Sequence, residues 1–257
     1  MCATCGCSEE GAVRVHHHVA SSTHAHDPGD HAHAHGSGTT VRLEEAVLGR
    51  NAAYAGKNRA WFRERGIFAL NLVSSPGAGK TTLLVRTIRE LSARLPISVV
   101  EGDQETSRDA DRVRAAGAPV LQINTGTACH LDAHMVGHAV ETLRPPAGSS
   151  IVIENVGNLI CPAVFDLGEE KRVLVSSVTE GEDKPLKYPH MFRSADLVLL
   201  NKMDLLAHVD FSLDRFVEHV AEVHPRARVL PLSATRGDGM AEWYEWLLAH
   251  AGREVPR

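Results

Sequence analysis

The chain has 257 residues, 43% of them hydrophobic and 23% charged, with a formal charge of −5. This suits one soluble α/β domain with a buried core plus a tail, and the mild charge gives no basis for a nucleic-acid or membrane partner. No apolar run reaches the roughly 18 residues of a membrane span, and the N-terminus lacks the basic-then-apolar order of a signal peptide, so a reducing cytoplasmic setting is expected.

Residues 1–38 hold Cys, His, Gly, Ser and Asp and almost no large apolar side chains, so they are expected to stay disordered as a metal-seeking tail. Three of the five cysteines, Cys2, Cys5 and Cys7, crowd the first seven residues, and eight of the sixteen histidines lie between His16 and His35. From Thr39 to residue 257 the composition is that of a folded domain. Leu43, Val47 and Tyr54 suggest a lead-in helix. Strand-like apolar runs follow at 67–73, 97–101, 120–123, 150–154, 173–178, 197–200 and 229–232. Helical patterns at 80–94, 109–116, 130–143, 213–223 and 240–249 alternate with them. The expected fold class is α/β, a mostly parallel sheet with helices on both faces.

Ser74-Ser-Pro-Gly77-Ala78-Gly79-Lys80-Thr81-Thr82 stands between the first strong strand and its helix, where a phosphate-binding loop belongs. Gly77, Ala78 and Gly79 would turn backbone N–H groups around phosphate oxygens, and the helix N-terminus adds its positive dipole end. Lys80 would reach the β- and γ-phosphates, and the Thr81 hydroxyl would meet Mg²⁺. The strict pattern has Gly where Ser74 stands. Asn201-Lys202-Met203-Asp204 follows an apolar strand; a carboxylate there accepts two hydrogen bonds from guanine, which adenine cannot offer, so Asp204 would select GTP. Ser233-Ala234-Thr235, after the next strand, would be the second base-binding loop. Glu154 and Gly157 stand where an acidic residue holds Mg²⁺ through water and a glycine N–H senses the γ-phosphate. Asp103 and Asp109 are further candidates for Mg²⁺ or water positioning; each has loop or helix capping as its alternative. Asn158, not Gln, follows Gly157; with the shorter side chain and no assignable arginine finger, intrinsic hydrolysis is expected to be slow.

Two metal sites are expected. Cys2, Cys5, Cys7 and the terminal amine offer three sulfurs and a nitrogen, a set for square-planar Ni²⁺ with tetrahedral Zn²⁺ as competitor. The His tract adds weak imidazole sites. Inside the domain, Cys129 and His130 are read at the start of a helix carrying His134 and His138, for which packing or surface exposure is the favoured reading. Cys161 lies four residues after Gly157, so a phosphate-sensing segment carries a thiol. Shared ligation by Cys129, His130 and Cys161 would tie metal geometry to nucleotide state. Three ligands leave one position for water or a second copy.

These stretches together resemble the HypB family, the GTPases of nickel insertion into [NiFe]-hydrogenase. The likeness rests on Met1-Cys-Ala-Thr-Cys5-Gly-Cys7, the phosphate loop, Glu101-Gly-Asp103-Gln and Asn124-Thr-Gly-Thr-Ala-Cys129-His130-Leu-Asp-Ala-His134. It continues through Glu154-Asn-Val-Gly157-Asn-Leu-Ile-Cys161-Pro162, Glu180-Gly-Glu-Asp-Lys184-Pro-Leu-Lys187-Tyr-Pro189, where Lys184 and Lys187 read on chemistry alone as a solvated basic loop, and the Asn201 motif. The resemblance implies a homodimer on GTP binding, a HypA-type nickel accessory partner and delivery to the hydrogenase large-subunit precursor. It also implies a tight nickel site at the N-terminal cysteines and a weaker nickel or zinc site at Cys129, His130 and Cys161. The related urease accessory GTPases separate Cys and His by one residue, whereas here the two are adjacent. A metal store with a regulatory GTPase domain, and a P-loop protein without turnover, are the readings from other classes.

Overall fold

A computed structural model describes residues 37–104 and 106–252. The expectations for Cys2, Cys5, Cys7 and the His tract lie outside the described residues.

In chain order the helices are α1 (Ser37–Glu64), α2 (Lys80–Leu91), α3 (Arg108–Ala115), α4 (Ala133–Leu143), α5 (Lys184–Lys187), α6 (Pro189–Ser194), α7 (Leu213–Val223) and α8 (Met240–His250). The strands are β1 (Phe68–Ser74), β2 (Ile97–Asp103), β3 (Val120–Asn124), β4 (Ser150–Glu154), β5 (Lys171–Ser177), β6 (Leu197–Asn201) and β7 (Arg228–Pro231). All seven strands pair in parallel, in the order β3-β2-β4-β1-β5-β6-β7.

The strands read as near-continuous apolar runs because both faces of the sheet are covered. Alternate residues supply different cores. Leu70, Leu72, Val99 and Val152 join Leu83, Ile88 and Trp243 under α2 and α8. Ala69, Val100, Ile151 and Ile153 turn the other way, toward Phe62 of α1 and Val136 of α4. Further along that face, Val73, Leu174 and Val198 pack on Phe192 and Phe216 of α6 and α7. Leu205, Leu206 and Val209 are partly buried and pack against this last cluster. Chain order reverses around β1, so the C-terminal ends of β1, β2, β4 and β6 open on one crevice, the usual ligand position of such sheets.

Two expectations are corrected. The helix read from residue 130 starts at Ala133, because the Asp132 side chain accepts from the Met135 N–H at 2.8 Å and caps it there. His130 therefore sits in a loop. The stretch around Lys184 and Lys187, read as a solvated basic loop, forms α5 and α6, each entered through a proline in its first turn.

Candidate functional site

Gly77 and Gly79 adopt left-handed backbone, with φ of 77° and 101°. At Gly79, the N-cap of α2, a Cβ would lie 2.5 Å from the Asn201 amide nitrogen, so only glycine fits. The loop borders a cavity of about 440 Å³, lined also by Lys80, Thr81, Thr82, Asp103, Asp109, Glu154 and Gly157.

The departure from the strict motif has a structural use. Ser74 is buried, and its hydroxyl accepts from the Lys80 ammonium at 2.8 Å, which holds the lysine inside the loop. Burial pulls the Lys80 pKa down, against the pull of Glu154. The Thr81 hydroxyl donates to Glu154 Oε1 at 2.7 Å. Burial pushes the Glu154 carboxyl up, while Lys80 and Thr81 work against that. Glu101, beside it on β2, is pushed up to about 8 by burial and then by Glu154. Both carboxylates keep a buried Oε2 with no hydrogen-bond partner among the described residues. The Thr81 hydroxyl and the buried Glu154 carboxylate are hard oxygen donors of the kind Mg²⁺ takes, so the donor set fits that ion.

Asp103 is drawn up by burial but held below the usual range by bonds from Thr106 and Gln104. Both of its oxygens are thus engaged in capping its loop. Asp109 pairs with Arg112 at 3.0 Å, and Arg112 also donates to the Thr82 hydroxyl at 3.0 Å.

The loops after β6 and β7 meet the Gly-rich loop through Asn201. Its amide donates to the Ala78 carbonyl at 2.9 Å and accepts from Ala234 N–H at 3.0 Å. Lys202 adopts left-handed backbone at φ 63°, and the Asp204 carboxylate accepts from the Ser233 hydroxyl at 2.6 Å. Thr235 is exposed, with its carbonyl held by Arg86 at 3.0 Å.

The second cluster adjoins the first. Cys129 Sγ lies 3.0 Å from Cys161 Sγ and 3.7 Å from His130 Nδ1, and all three ligand atoms fall within 4.8 Å of one another. Burial keeps the His130 pKa low, so the imidazole stays neutral and able to ligate. Burial and then the Cys129 thiol push Cys161 up to about 11. His134 and His138 form the expected stripe on α4, their Nε2 atoms 3.1 Å apart and exposed, outside this three-ligand group.

Residues of the segment 155–158 join the two clusters. Asn158 donates to the Cys129 carbonyl at 3.2 Å, and Asn155 accepts from Leu131 N–H at 3.1 Å. At Gly157 a Cβ would lie 3.0 Å from Pro76 of the phosphate loop. From α1, Asn58 donates to the Ala133 and Leu167 carbonyls, fixing the segments beyond His130 and Cys161. Such buried amides carry no local sequence pattern; an Asn on the buried face of a helix is the one signal available.

A Gly-rich loop that leads from the central strand into a helix and a parallel sheet of this order define a P-loop protein with a GTPase fold. The family model for the CobW/HypB/UreG nucleotide-binding domain matches residues 68–231. The hydrogenase maturation factor HypB of Rhizobium leguminosarum is 58% identical over 217 residues, covering 84% of this chain and 73% of that one. That of Escherichia coli K12 is 48% identical over 240 residues, covering 93% and 80%. The crystal structure of Helicobacter pylori HypB in complex with nickel superposes with a TM-score of 0.74 at 34% identity, covering 81% of this chain and 99% of that one. The chain belongs to the HypB family of hydrogenase maturation factors. No helix among the described residues is long and apolar enough to cross a membrane.

Proposed function

We propose that this chain is a GTP-hydrolysing nickel metallochaperone for [NiFe]-hydrogenase, in which nucleotide state sets metal affinity. The observation that carries the reading is the segment 154–161. Gly157 lies against Pro76, Asn158 holds the Cys129 backbone, and Cys161 faces Cys129. A segment touching both clusters cannot move for one without moving for the other.

In this reading Gly77, Ala78, Gly79, Lys80, Thr81 and Thr82 hold the phosphates, and Asn201, Lys202, Asp204, Ser233, Ala234 and Thr235 form the base site. Thr81 and Glu154 hold Mg²⁺, with Asp103 and Asp109 lining its approach; when bound, the ion neutralises charge developing on the phosphate oxygens. The Gly157 N–H senses the γ-phosphate. Turnover is slow because the Asn158 amide is engaged with Cys129 rather than with an attacking water. Cys129, His130 and Cys161 carry nickel as cargo, zinc competing, and the N-terminal Cys2, Cys5 and Cys7 of a tail at 1–38 capture it. The domain proper is 39–257, and the protein works in the cytoplasm. Its remaining ligand comes from water or a second copy in a GTP-bound homodimer. Ile160 and Val164 flank Cys161 at 68% and 58% exposure, which gives that face apolar surface to cover. A HypA-type protein and the large-subunit precursor are the partners.

Nickel titrations of the full chain with GDP and with a non-hydrolysable GTP analogue test the coupling. The expected difference at the domain site is roughly 5- to 150-fold. It should vanish in Lys80→Ala, which loses the phosphate contact. Equal affinities in the two nucleotide states would refute the reading.

A further inference from the structure

Glu101 has no part in the arrangement above, yet it is among the most constrained groups in the cavity. It lies on β2 as the Cα partner of Glu154 on β4, and each residue is 3% exposed. The next residue, Gly102, has no room for a side chain, since a Cβ there would meet Leu131 at 2.7 Å. The strand backbone that presents Glu101 is therefore fixed against the loop below it.

Four carboxylates, Glu101, Asp103, Asp109 and Glu154, line the cavity together with two cationic side chains, Lys80 and Arg112. Asp103 is engaged by Gln104 and Thr106, and Asp109 by Arg112. Glu154 gives one oxygen to Thr81. The fully buried carboxylate oxygens left without a hydrogen-bond partner among the described residues are Oε2 of Glu101 and Oε2 of Glu154. A buried carboxylate oxygen without a donor is costly, and two neighbouring ones repel. Both costs fall when a divalent ion and its bound waters enter beside them, because those waters donate and the ion supplies opposite charge. A small hard cation that keeps several waters is the occupant this arrangement fits.

We propose that Glu101 is a positioning residue for Mg²⁺, sharing with Glu154 the acceptance of hydrogen bonds from the ion's coordinated waters. This rests on the reading of the cavity as a GTP–Mg²⁺ site. Glu101 acts through water and leaves the Thr81 hydroxyl as the direct ligand.

Fluorescent GDP bound to the full chain, titrated with Mg²⁺, tests this without turnover. Glu101→Gln keeps the shape and removes the carboxyl that a bound cation would ionise. The expected result is a Mg²⁺ affinity about 10- to 100-fold weaker, as for other groups that orient metal ligands, with metal-free GDP affinity unchanged. Glu101→Asp should restore part of the loss, and it serves in place of the Gln variant should that one fail to fold. Mg²⁺ affinities within about twofold of wild type in both variants would overturn the proposal. So would lost GTP turnover with intact Mg²⁺ affinity, which would put Glu101 on the attacking water. A wild-type chain that binds no GDP would instead sink the nucleotide-site reading itself, and this proposal with it.

Discussion

Arg172 offers the sharpest test of how the metal segment is held. Its side chain is 10% exposed and that of Glu169 is 7% exposed, and the two pair at 2.7 Å. The guanidinium donates four times: twice to Glu169 Oε1, once to the Ala163 carbonyl at 3.1 Å and once to the Phe165 carbonyl at 3.0 Å. Phe165 in turn lays its ring 3.9 Å from that of His130. Replacing Arg172 by Met keeps most of the apolar stem, strands the Glu169 charge and frees both carbonyls. Glu169 keeps only neutral donors, Asn71 at 3.1 Å and Leu167 N–H at 2.7 Å. Removing one partner of a buried pair costs about 3–5 kcal/mol. For a domain of this size each kcal/mol lowers Tm by roughly 2–4 °C, so a drop of about 6–20 °C is expected. The assay is urea and thermal unfolding of metal-free protein, followed by circular dichroism. Arg172→Met with Glu169→Leu should recover much of the loss, since no buried charge is then left unpaired. Domain-site nickel affinity should fall in the single variant, because Ala163 and Phe165 fix the chain just past Cys161. A single-variant loss under about 1 kcal/mol, well short of a broken buried pair, would refute the reasoning.

Two further expectations follow from the same geometry. Asp204→Asn replaces an acceptor for the guanine N1–H and amine by a side chain that also donates. GTP affinity should fall by about 10- to 150-fold, the worth of a charge-assisted hydrogen bond, while a base carrying a carbonyl in place of the amine gains; competition between GTP and XTP reads this out, and unchanged preference would remove Asp204 from base recognition. Cys161 is raised to about 11, so its thiol is protonated at neutral pH and a metal must displace that proton. Nickel affinity at the domain site should therefore fall with acid, by about tenfold per pH unit between pH 6 and 8 for the one proton displaced from Cys161; a slope well below that would exclude ligation by the Cys161 thiolate.

The sheet was legible in the sequence because a parallel strand covered on both faces leaves an apolar run. The residues of β4 and α7 stand at the bounds expected of them. What escaped was decided by single contacts. Histidines spaced by four at 130, 134 and 138 imitate a helix, and the Asp132 carboxylate, bonded to Met135 N–H, excludes the first of them. The run Lys184–Lys187 is too short for periodicity to show, and Pro185 marks its start only once a helix is known to be there. In the candidate site, motifs marked the phosphate loop and the cysteines. The amides that fasten them have partners no motif names: Asn155 meets Leu131 across 24 residues of chain, and Asn51 reaches the Asp166 carbonyl across 115. Partners that distant are set by the fold and not by local spacing.

Asn158 shows how one position can serve two demands at once. The sequence suggested that an asparagine after Gly157 would hold an attacking water poorly because it is short. The structure adds a stronger reason, since its amide nitrogen bonds the Cys129 carbonyl and its oxygen accepts from Ile160 N–H at 2.8 Å. A side chain with both ends engaged must break those bonds before it can turn toward a phosphate. Cys129 would then lose a backbone anchor at the moment the nucleotide site gained a polar group. In the proposed function, slow turnover and metal control both trace to this one bonded amide. Replacing it with an apolar side chain of similar size would loosen the metal site without creating a water-positioning residue.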